Sequence, residues 1–486
     1  MRRKRSPESS LLNPLRGFFM ASLIDRVRWS LPVWAQNLGV TIYGMAWRHR
    51  RLGGVFKDEV KRFRAREGYS EEQWHDYMER ELQALLVAAY ERVPLWRERL
   101  SEFGPERLRR FHLEDLTRLE FLDKETLRTA GRQAEREGHW PVLHTYLSSG
   151  STGTPIAVHF STRMHQVWSA TYEVRCRGWA GLSHADSRAM IGGRLVVPPW
   201  TNRPPYWRVN YAERQLYMSA FHISPGTAPS YMQALCDFRP DYLVGYASSH
   251  FFLARFALEQ GLRAPRPKAV LTSSEKLTQE MRETIERVYG CPVFDAWSGV
   301  EACSLASECE HHRLHVSPDV GIVEILDTSG RPCPPGVVGE VVCTGLLNRD
   351  QPLIRYRIGD MAAWSTRPCP CGRRMPVIED LVGRVEDVVI GMDGRETVRF
   401  HGLFVGLPGI RMGQVVQESL EDITVRVITD EAFSEAAAEE IRTRVRQRLG
   451  PVNVCVVPVG ELERTSGGKV RAVISKVRRT PWVSNR

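Results

Sequence analysis

Apolar residues recur at helical spacing in several stretches of the chain. Residues 70–73 (Ser-Glu-Glu-Gln) form a capping-box pattern, and apolar side chains follow every three or four positions as far as Pro94. Three later stretches show the same spacing and end at glycine or proline, and Ser434 caps the last of them. These predicted helices lie at 251–259, 279–289 and 434–450.

Short apolar runs bounded by turn residues predict strands. They are 269–271, 293–297, 320–326, 338–346, 423–428 and 452–457. Helices and strands alternate from 251 to 297, which is typical of βαβ units, whereas 320–326 and 338–346 flank a turn and predict an antiparallel pair. We therefore predict an α/β fold with a large N-terminal domain of mixed, largely parallel sheets and flanking helices. A small, mobile α+β domain follows it.

The pattern changes before residue 70 and again near residue 384, and these changes define the predicted domains. An N-terminal extension covers 1–69, the large domain covers 70–384 and the small C-terminal domain covers 385–486. In the extension, large apolar residues alternate with arginines over 11–46. We interpret this stretch as a helix pair that packs on the large domain. An interfacial amphipathic segment is the alternative, with at most weak, salt-sensitive membrane contact.

Composition narrows the classes of function. The chain has 486 residues, is 42% hydrophobic and carries a net charge of +10, which favours an anionic ligand without naming it. No nucleic-acid motif, apolar run long enough to span a bilayer or signal-peptide pattern is present. Ten cysteines in a chain of this length do not form a disulfide framework. We therefore expect a cytoplasmic protein that does not bind nucleic acid.

A loop rich in hydroxyl groups and glycine lies between two apolar runs, which predicts strand, loop and strand. Its glycines permit close backbone approach, and its hydroxyl and N–H groups can donate to a phosphate. Thr154 stands where a Walker loop would need lysine, so this is not a Walker loop. The alternative is a solvated turn. The candidate phosphate-binding residues are Ser148, Ser149, Gly150, Ser151, Thr152 and Gly153.

Three further residues are candidates for a nucleotide site. Glu301 follows a predicted strand and is suited to holding Mg²⁺. Asp360 lies at a strand-to-turn boundary, where a carboxylate can accept hydrogen bonds from ribose. Lys469 lies on a glycine-rich loop near the C-terminus. Each residue alone is equally consistent with a solvated side chain.

Taken in order, these motifs resemble those of the adenylate-forming (acyl-AMP) superfamily over nearly the whole chain. The matching stretches are 149–155 (phosphate loop), 297–301 (aromatic-Gly-x-Thr/Ser-Glu), 356–360 (Tyr-Arg-Thr-Gly-Asp), 383–387 (hinge) and 464–469 (Arg-Thr-x-Ser-Gly-Lys). Within the superfamily the chain is most similar to the phenylacetate-CoA ligase group and its capsular-polysaccharide-biosynthesis branch. Residues 32–37, 43–44 and 355–357 carry that closer match.

The resemblance implies roles for individual residues. Lys469 neutralises charge at the α-phosphate, Glu301 holds Mg²⁺, and Glu386 lies at the hinge about which the small domain swings. Besides the phosphate loop, the implied ATP-binding residues are Ser274, Glu275, Asp295, Trp297, Ser298, Asp360 and Arg384.

The implied reaction uses MgATP to convert a carboxylic acid into an acyl-adenylate and then transfers the acyl group to a thiol, either CoA or a carrier protein. A polysaccharide or secondary-metabolite pathway is its expected setting. Residues 388–399 depart from the stretch that receives the thiol in many relatives, so CoA is less certain than ATP. An amine acceptor, or a non-catalytic nucleotide-binding protein stabilised by zinc, are the alternatives.

Cysteine and histidine spacing predicts a metal site. Cys369 and Cys371 flank a proline before a glycine, a turn that can present two sulfurs to one ion, and Cys309 and His315 can complete a tetrahedral set. Four protein ligands predict structural zinc, and the phenylacetate-CoA ligase group carries a similar set. Reduced cysteines without metal are the alternative. His311 and His312 compete with His315 as the fourth ligand.

Aromatic residues are weak candidates for the wall of an acyl pocket. We name Phe221, His222 and Tyr246, with Tyr242 and Trp297 as further members of the set. Packing in the core is the commoner role of such side chains. The sequence therefore does not identify the acid.

Overall fold

The computed structural model describes most of the chain. It covers 29–138, 144–147, 156–198, 200–275, 277–327, 329–382, 389–392, 396–397, 403–404, 407–460, 462–463 and 473–477. Several predicted site residues lie outside these ranges: the phosphate loop at 148–155, Arg384, Glu386 and Lys469. Their proposed roles stay predictions.

Eleven α-helices occur in the described part of the chain. They are α1 (Val33–Leu52), α2 (Phe56–Ala65), α3 (Glu71–Arg92), α4 (Pro94–Arg99), α5 (Gly104–Leu108), α6 (Lys124–Ala130), α7 (Thr162–Tyr172), α8 (Ala228–Phe238), α9 (Ala247–Glu259), α10 (Gln279–Tyr289) and α11 (Glu435–Leu449). The predicted capping box before α3 is present, with the Ser70 hydroxyl accepting from the Gln73 amide at 3.2 Å and the Gln73 side chain accepting from the Ser70 amide. A π-helical turn (Glu173–Gly178) extends α7, and short 3₁₀ turns lie at Arg66–Gly68, Leu113–Arg118, Gly131–Ala134 and Tyr211–Glu213.

Twenty strands occur in the described residues. They are β1 (His144–Leu147), β2 (Ala157–Phe160), β3 (Arg188–Gly192), β4 (Trp207–Asn210), β5 (Gln215–Ser219), β6 (Tyr242–Gly245), β7 (Ala269–Ser273), β8 (Val293–Ser298), β9 (Leu305–Glu308), β10 (Leu314–Val316), β11 (Gly321–Leu326), β12 (Gly339–Gly345), β13 (Tyr356–Trp364), β14 (Val377–Val382), β15 (Val389–Ile390), β16 (Glu396–Thr397), β17 (Ile410–Gln417), β18 (Asp422–Thr429), β19 (Asn453–Pro458) and β20 (Val473–Ser475). The predicted boundaries are correct to within a few residues.

The largest sheet has twelve strands in the order β11-β12-β13-β14-β10-β9-β8-β7-β6-β3-β5-β4. Its five strands β5, β3, β6, β7 and β8 are parallel, as the alternation of helix and strand predicts. The remaining pairings in this sheet are antiparallel, including the predicted pair β11 and β12. The predicted α/β class is confirmed, but the parallel part is smaller than expected because β9 to β14 are joined by turns rather than by helices.

A separate core forms at the C-terminal end of the chain. Strands β19-β18-β17-β20 make a four-stranded sheet that packs on α11, and the residues of this core all lie at 389 or beyond. Apolar residues alternate with polar ones along β18, so one face of this sheet covers the helix. This arrangement supports a domain boundary near 385, which remains a prediction.

Helix α1 packs on the large sheet, but through its polar side. Gln36 accepts a hydrogen bond from Arg208 at 2.8 Å, Asn37 accepts from the Val209 amide at 3.0 Å, and the Thr41 hydroxyl accepts from the Tyr211 amide at 3.2 Å. Periodicity identifies an apolar stripe but does not show which side of a helix meets the domain. No helix among the described residues is long and apolar enough to cross a membrane.

A buried ion cluster ties the segment after α2 to the large domain. The Asp319 carboxylate accepts from Arg66 at 2.8 Å and from Arg175 at 3.1 Å, and the Asp319 and Arg175 side chains are inaccessible to solvent. Arg175 also donates to Glu67 at 2.7 Å. Because the charges are paired inside the protein, removing one member leaves the others buried without compensation.

Asp319→Ala is therefore expected to lower the free energy of unfolding by about 3–5 kcal/mol, because two guanidinium groups lose their shared carboxylate. Chemical denaturation monitored by tryptophan fluorescence measures this loss. The control is Asp58→Ala, since Asp58 is exposed and lies 3.8 Å from an exposed Lys61. That control should change stability by less than about 1 kcal/mol. Equal effects of the two substitutions would contradict the importance of the buried cluster.

Candidate active site

The parallel strands bring several of the predicted site residues to one edge of the sheet. In the register of the strands, Gly192 is opposite Ser219, Ile191 opposite Gly245, and Ser273 opposite Ala296. The carboxyl ends of β5, β3, β6, β7 and β8 therefore lie side by side. The residues that follow these ends include Phe221, His222, Tyr246, Ser274, Glu275 and Glu301. Ligands of parallel α/β sheets bind at this edge.

Trp297 and Asp360 meet although their strands are far apart in the sheet. The Trp297 indole N–H donates to Asp360 Oδ2 at 3.1 Å. Three strands separate β8 from β13, which in a flat sheet would put them about 19 Å apart. The sheet must therefore curl, and Trp297 packs in the core that fills the curl. This contact fixes the orientation of both the indole ring and the carboxylate.

Glu301 is held inside the same curl. The Tyr356 hydroxyl donates to Glu301 Oε1 at 3.3 Å, and both side chains are buried. Gly299 lies so close to Glu301 Oε2 that a Cβ at position 299 would overlap that oxygen. A buried carboxylate supported by one hydroxyl retains lone pairs for a cation. Tyr356 is a positioning residue that sequence reasoning did not assign, although its place at the start of the 356–360 motif was a signal.

Ser298 has a local structural role. Its hydroxyl lies 3.1 Å from the carbonyl oxygens of Gly299 and Ser304, to which it donates. These contacts hold the turn between β8 and Glu301. The structure therefore shows Ser298 supporting the shape of the loop, and its predicted contact with ATP stays a prediction.

Asp295 precedes Trp297 by two residues on β8. Thr272 donates to Asp295 Oδ1 at 2.6 Å, and the Asp295 amide donates to Glu308 at 2.9 Å. Burial raises the pKa of Asp295 to about 7. The carboxyl therefore bonds to β7 and the backbone amide bonds to a side chain of β9, and these contacts align the carboxyl ends of the strands.

Ser274 and Glu275 follow β7 directly. Ser274 has φ of +73°, an uncommon conformation for a residue with a Cβ, at the point where the chain leaves the sheet. Glu275 accepts from the amide and the hydroxyl of Ser248, at 3.0 and 2.6 Å, at the beginning of α9. The carboxylate thus stabilises a helix N-terminus next to the predicted nucleotide site.

A hairpin presents the predicted phosphate loop. Strands β1 and β2 pair antiparallel from His144 opposite Phe160 to Leu147 opposite Ala157, so 148–155 connects the end of this hairpin. Gln351 donates to the Ala157 carbonyl at 3.2 Å and accepts from the His159 amide at 2.8 Å. The hairpin is therefore anchored to the segment that leads into β13, which carries Asp360.

The weak pocket candidates divide into two kinds. His222 is buried, accepts or donates at 2.8 Å with the Ser219 hydroxyl, and stacks on Tyr206 at 5.2 Å between ring centroids. Tyr242 is likewise buried and accepts from Arg177 at 3.1 Å. Phe221 and Tyr246 are half-buried at the carboxyl edge, and Gly245 before Tyr246 lies against the Ile191 backbone where no Cβ fits. His222 and Tyr242 therefore have core contacts, whereas Phe221 and Tyr246 lie where an acid could be bound.

The structure brings together the four predicted metal ligands. Their ligand atoms all lie within 4.8 Å of one another. The sulfurs of Cys309 and Cys369 are 3.6 Å apart, and Cys371 Sγ is 3.3 Å from His315 Nε2. Tetrahedral zinc, with bonds of about 2.0–2.3 Å, places its ligand atoms about 3.3–3.8 Å apart. The donor set and these two distances therefore match those of a closed, structural zinc site.

The elements around this cluster orient its ligands. His315 lies in β10, its Nδ1 is 3.4 Å from the Met375 carbonyl, and its ring packs edge-on against Trp179. Burial lowers the pKa of His315 to about 4, which keeps the imidazole neutral, the form that ligates metals. His311 and His312 are exposed, and His312 instead contacts Arg282 and Glu308. The structure thus selects His315 among the three histidines.

Three cysteines outside the cluster lie in the core. Cys303, Cys333 and Cys343 are buried and free of disulfides. A hydrogen bond with Cys343 and burial raise the pKa of Cys303, so its thiol is kept protonated. None of the three belongs to the four-residue cluster.

Comparisons with known proteins were made for the whole chain. The family described as CapK C-terminal domain matches residues 396–476. Protein CapK of Staphylococcus aureus is 23% identical over 466 residues, which cover 92% of this chain and 98% of CapK. Phenylacetate-coenzyme A ligase of Thermus thermophilus is 25% identical over 448 residues, covering 82% and 95% of the two chains.

Solved structures show the same fold. A 2-hydroxyisobutyryl-CoA ligase in complex with 2-HIB-AMP and CoA matches with a TM-score of 0.56 at 23% identity, covering 85% of this chain and 91% of the ligase. The curled sheet, the ordered motifs and the relatives along nearly the whole chain agree. Along most of its length the chain is therefore similar to CapK and to a phenylacetate-CoA ligase, and its fold is that of a CoA ligase of known structure.

Proposed function

We propose that this chain is an acid–thiol ligase that activates a carboxylic acid with ATP as an acyl-adenylate and transfers the acyl group to CoA. The observation that carries the proposal is the pair of contacts that join the end of β8 to β13, Trp297 with Asp360 and Glu301 with Tyr356. The relatives named above include CoA ligases. ATP and a carboxylic acid follow from the family, and CoA is the thiol that the relatives' names support.

The described residues divide the work of the first step. Glu301, supported by Tyr356, is the ligand for a Mg²⁺ ion that screens the phosphates. Asp360, held by the Trp297 indole, accepts hydrogen bonds from the ribose. The acid's carboxylate oxygen attacks the α-phosphorus, the bond to the bridging oxygen of pyrophosphate breaks, and pyrophosphate leaves. Catalysis consists of positioning and charge stabilisation, since the reacting groups all belong to the substrates.

The remaining roles rest on the resemblance. The 148–155 loop binds the leaving phosphates, Arg384 contributes to ATP binding, Glu386 lies at the hinge, and Lys469 neutralises the α-phosphate in the adenylation step. The small domain then turns so that the thiol can attack the acyl carbon and release AMP. We further propose that Cys309, His315, Cys369 and Cys371 hold structural zinc.

Product analysis tests the acceptor. Purified chain is incubated with MgATP, CoA and a panel of acids that includes phenylacetate and 2-hydroxyisobutyrate. We expect AMP release and an acyl-CoA of matching mass with at least one acid. Acyl-adenylate that accumulates with CoA but is consumed by an amine would instead identify an amide-forming ligase.

Lys469→Ala is expected to slow acyl-adenylate formation by about 10–100-fold, because one cation facing the developing charge is lost, while ATP binding remains. Release of pyrophosphate in a single turnover measures this step. Lys476→Ala is the matched control, since Lys476 pairs with Glu418 on the surface of the same domain. Unchanged pyrophosphate release in Lys469→Ala would contradict the role of Lys469.

A further inference from the structure

Helix α1 is amphipathic, but its polar side, rather than its apolar side, faces the domain on which it packs. Its buried residues, Gln36, Thr41 and Gly44, are polar or small, and they face the large sheet. Its large apolar side chains face away from the protein. Trp34 is 71% exposed and Ile42 58% exposed. A helix that only packed on its domain would place these residues inward.

The outward residues form one stripe. Trp34, Leu38, Ile42 and Met45 are spaced by three or four positions and are each at least half exposed. No charged residue occurs between Val33 and Trp47. Seven of the sixteen exposed large hydrophobic residues of the described chain lie within 31–45, so the exposure is concentrated rather than scattered. We call this stripe the α1 apolar face.

Neighbouring segments widen the α1 apolar face. On one side of the helix lies Tyr211, which is 67% exposed and whose backbone amide donates to the Thr41 hydroxyl. On the other side the Arg194 guanidinium lies 5.6 Å from the Tyr43 ring, and Leu195 next to it is exposed. Aromatic side chains with a polar tip and arginines at the rim of an apolar surface are typical of proteins that lie at a membrane interface.

The charge of residues 1–28 indicates which kind of partner binds the α1 apolar face. Residues 1–28 contain seven Lys or Arg and two Asp or Glu, and they lead directly into Trp29. Two copies paired through the α1 apolar face would bring their Arg194 and basic N-terminal residues towards each other, which is unfavourable. An anionic lipid surface satisfies both the apolar stripe and the basic charge.

We infer that the α1 apolar face docks this enzyme peripherally on an anionic lipid surface. The helix lies in the interfacial plane, with Trp34, Leu38, Ile42 and Met45 among the lipid chains and headgroups. The opposite end of α1 contacts the site, because Arg50 lies 2.9 Å from His144 in the hairpin of the phosphate loop. Docking therefore places the nucleotide site close to the lipid. The inference does not depend on which acid or acceptor the enzyme uses.

Vesicle sedimentation of the full chain tests this inference. The probes are phosphatidylcholine vesicles with and without phosphatidylglycerol, at about 0.1 and 0.5 M salt. We expect binding to the anionic vesicles that weakens at high salt. The variant Trp34→Gln/Ile42→Gln should bind at least about tenfold more weakly, with an unchanged melting temperature, since both side chains are exposed. The control Val337→Gln/Leu420→Gln replaces two exposed apolar residues elsewhere, 47% and 45% exposed, and should bind like the wild type.

Three results would overturn the inference. The first is wild-type protein that stays in solution with anionic vesicles at low salt. The second is a wild-type dimer, seen by analytical ultracentrifugation, that Trp34→Gln/Ile42→Gln dissociates, because the face would then bind a second copy. The third is a lowered melting temperature of that variant without vesicles, because residues of the same chain would then cover the face.

Discussion

Glu301→Gln is expected to lower acid-dependent acyl-adenylate formation by about 100–1,000-fold at saturating MgATP. The amide keeps the size of the side chain and can still accept from the Tyr356 hydroxyl, but it has lost the negative charge that binds Mg²⁺. Single-turnover pyrophosphate release measures the step. In a Mg²⁺ titration, the variant should need a higher Mg²⁺ concentration to reach half of its maximal rate. The melting temperature should change little, because the hydrogen bond and the packing are kept.

Two matched variants separate charge from position. Tyr356→Phe removes the hydroxyl 3.3 Å from Glu301 and should reduce the rate by a smaller factor, about tenfold, without changing the Mg²⁺ requirement. Glu340 lies on β12, and its carboxylate pairs with Arg357 rather than with Tyr356. Glu340→Gln should therefore leave the rate unchanged. A Glu301→Gln variant as active as Glu340→Gln would show that Glu301 does not hold the metal.

Removal of the proposed zinc is expected to destabilise the large domain. Cys371→Ser, or a strong chelator, should lower zinc content from about one per chain and destabilise the large domain by at least about 3 kcal/mol. The reason is connectivity. The cluster joins the turn after β9 to the loop between β13 and β14, and Trp74, Trp179 and Met375 pack around it. Metal analysis and thermal denaturation measure the two effects.

The control for this prediction is Cys236→Ser. Cys236 is a half-exposed cysteine whose thiol donates to the Arg263 carbonyl at 3.6 Å, a contact that a serine hydroxyl can replace. Activity of Cys371→Ser should fall only through displacement of Asp360, because an ion with four protein ligands has no open position for substrate. Wild-type protein without zinc, and with all ten cysteines titratable, would contradict the site.

Features set by local sequence were predictable. Helix α10 begins and ends where its spacing and glycine predict, and the β1–β2 hairpin flanks the predicted loop. The grouping of the four predicted metal ligands was predictable because cysteine pairs and nearby histidines carry their chemistry in their spacing. In each case the determining contacts lie within a short stretch, or the residue types are rare enough to be informative.

Features set by distant contacts were not predictable. The bonds of Trp297 with Asp360 and of Tyr356 with Glu301 depend on the curl of a sheet whose strands β9 to β14 are antiparallel, and no period in the sequence encodes that curl. The orientation of α1 is a second case, because its polar residues bond to Arg208 and Val209, far away in sequence. The core contacts of His222 are a third.

Acid-dependent exchange of labelled pyrophosphate into ATP tests the central proposal most directly. The assay needs no acceptor, so it isolates the adenylation step from the identity of the thiol. We predict exchange with at least one carboxylic acid of a broad panel, dependent on Mg²⁺ and reduced in Glu301→Gln and Lys469→Ala. Folded protein that binds ATP yet gives no exchange with any acid of the panel would contradict the proposed ligase activity.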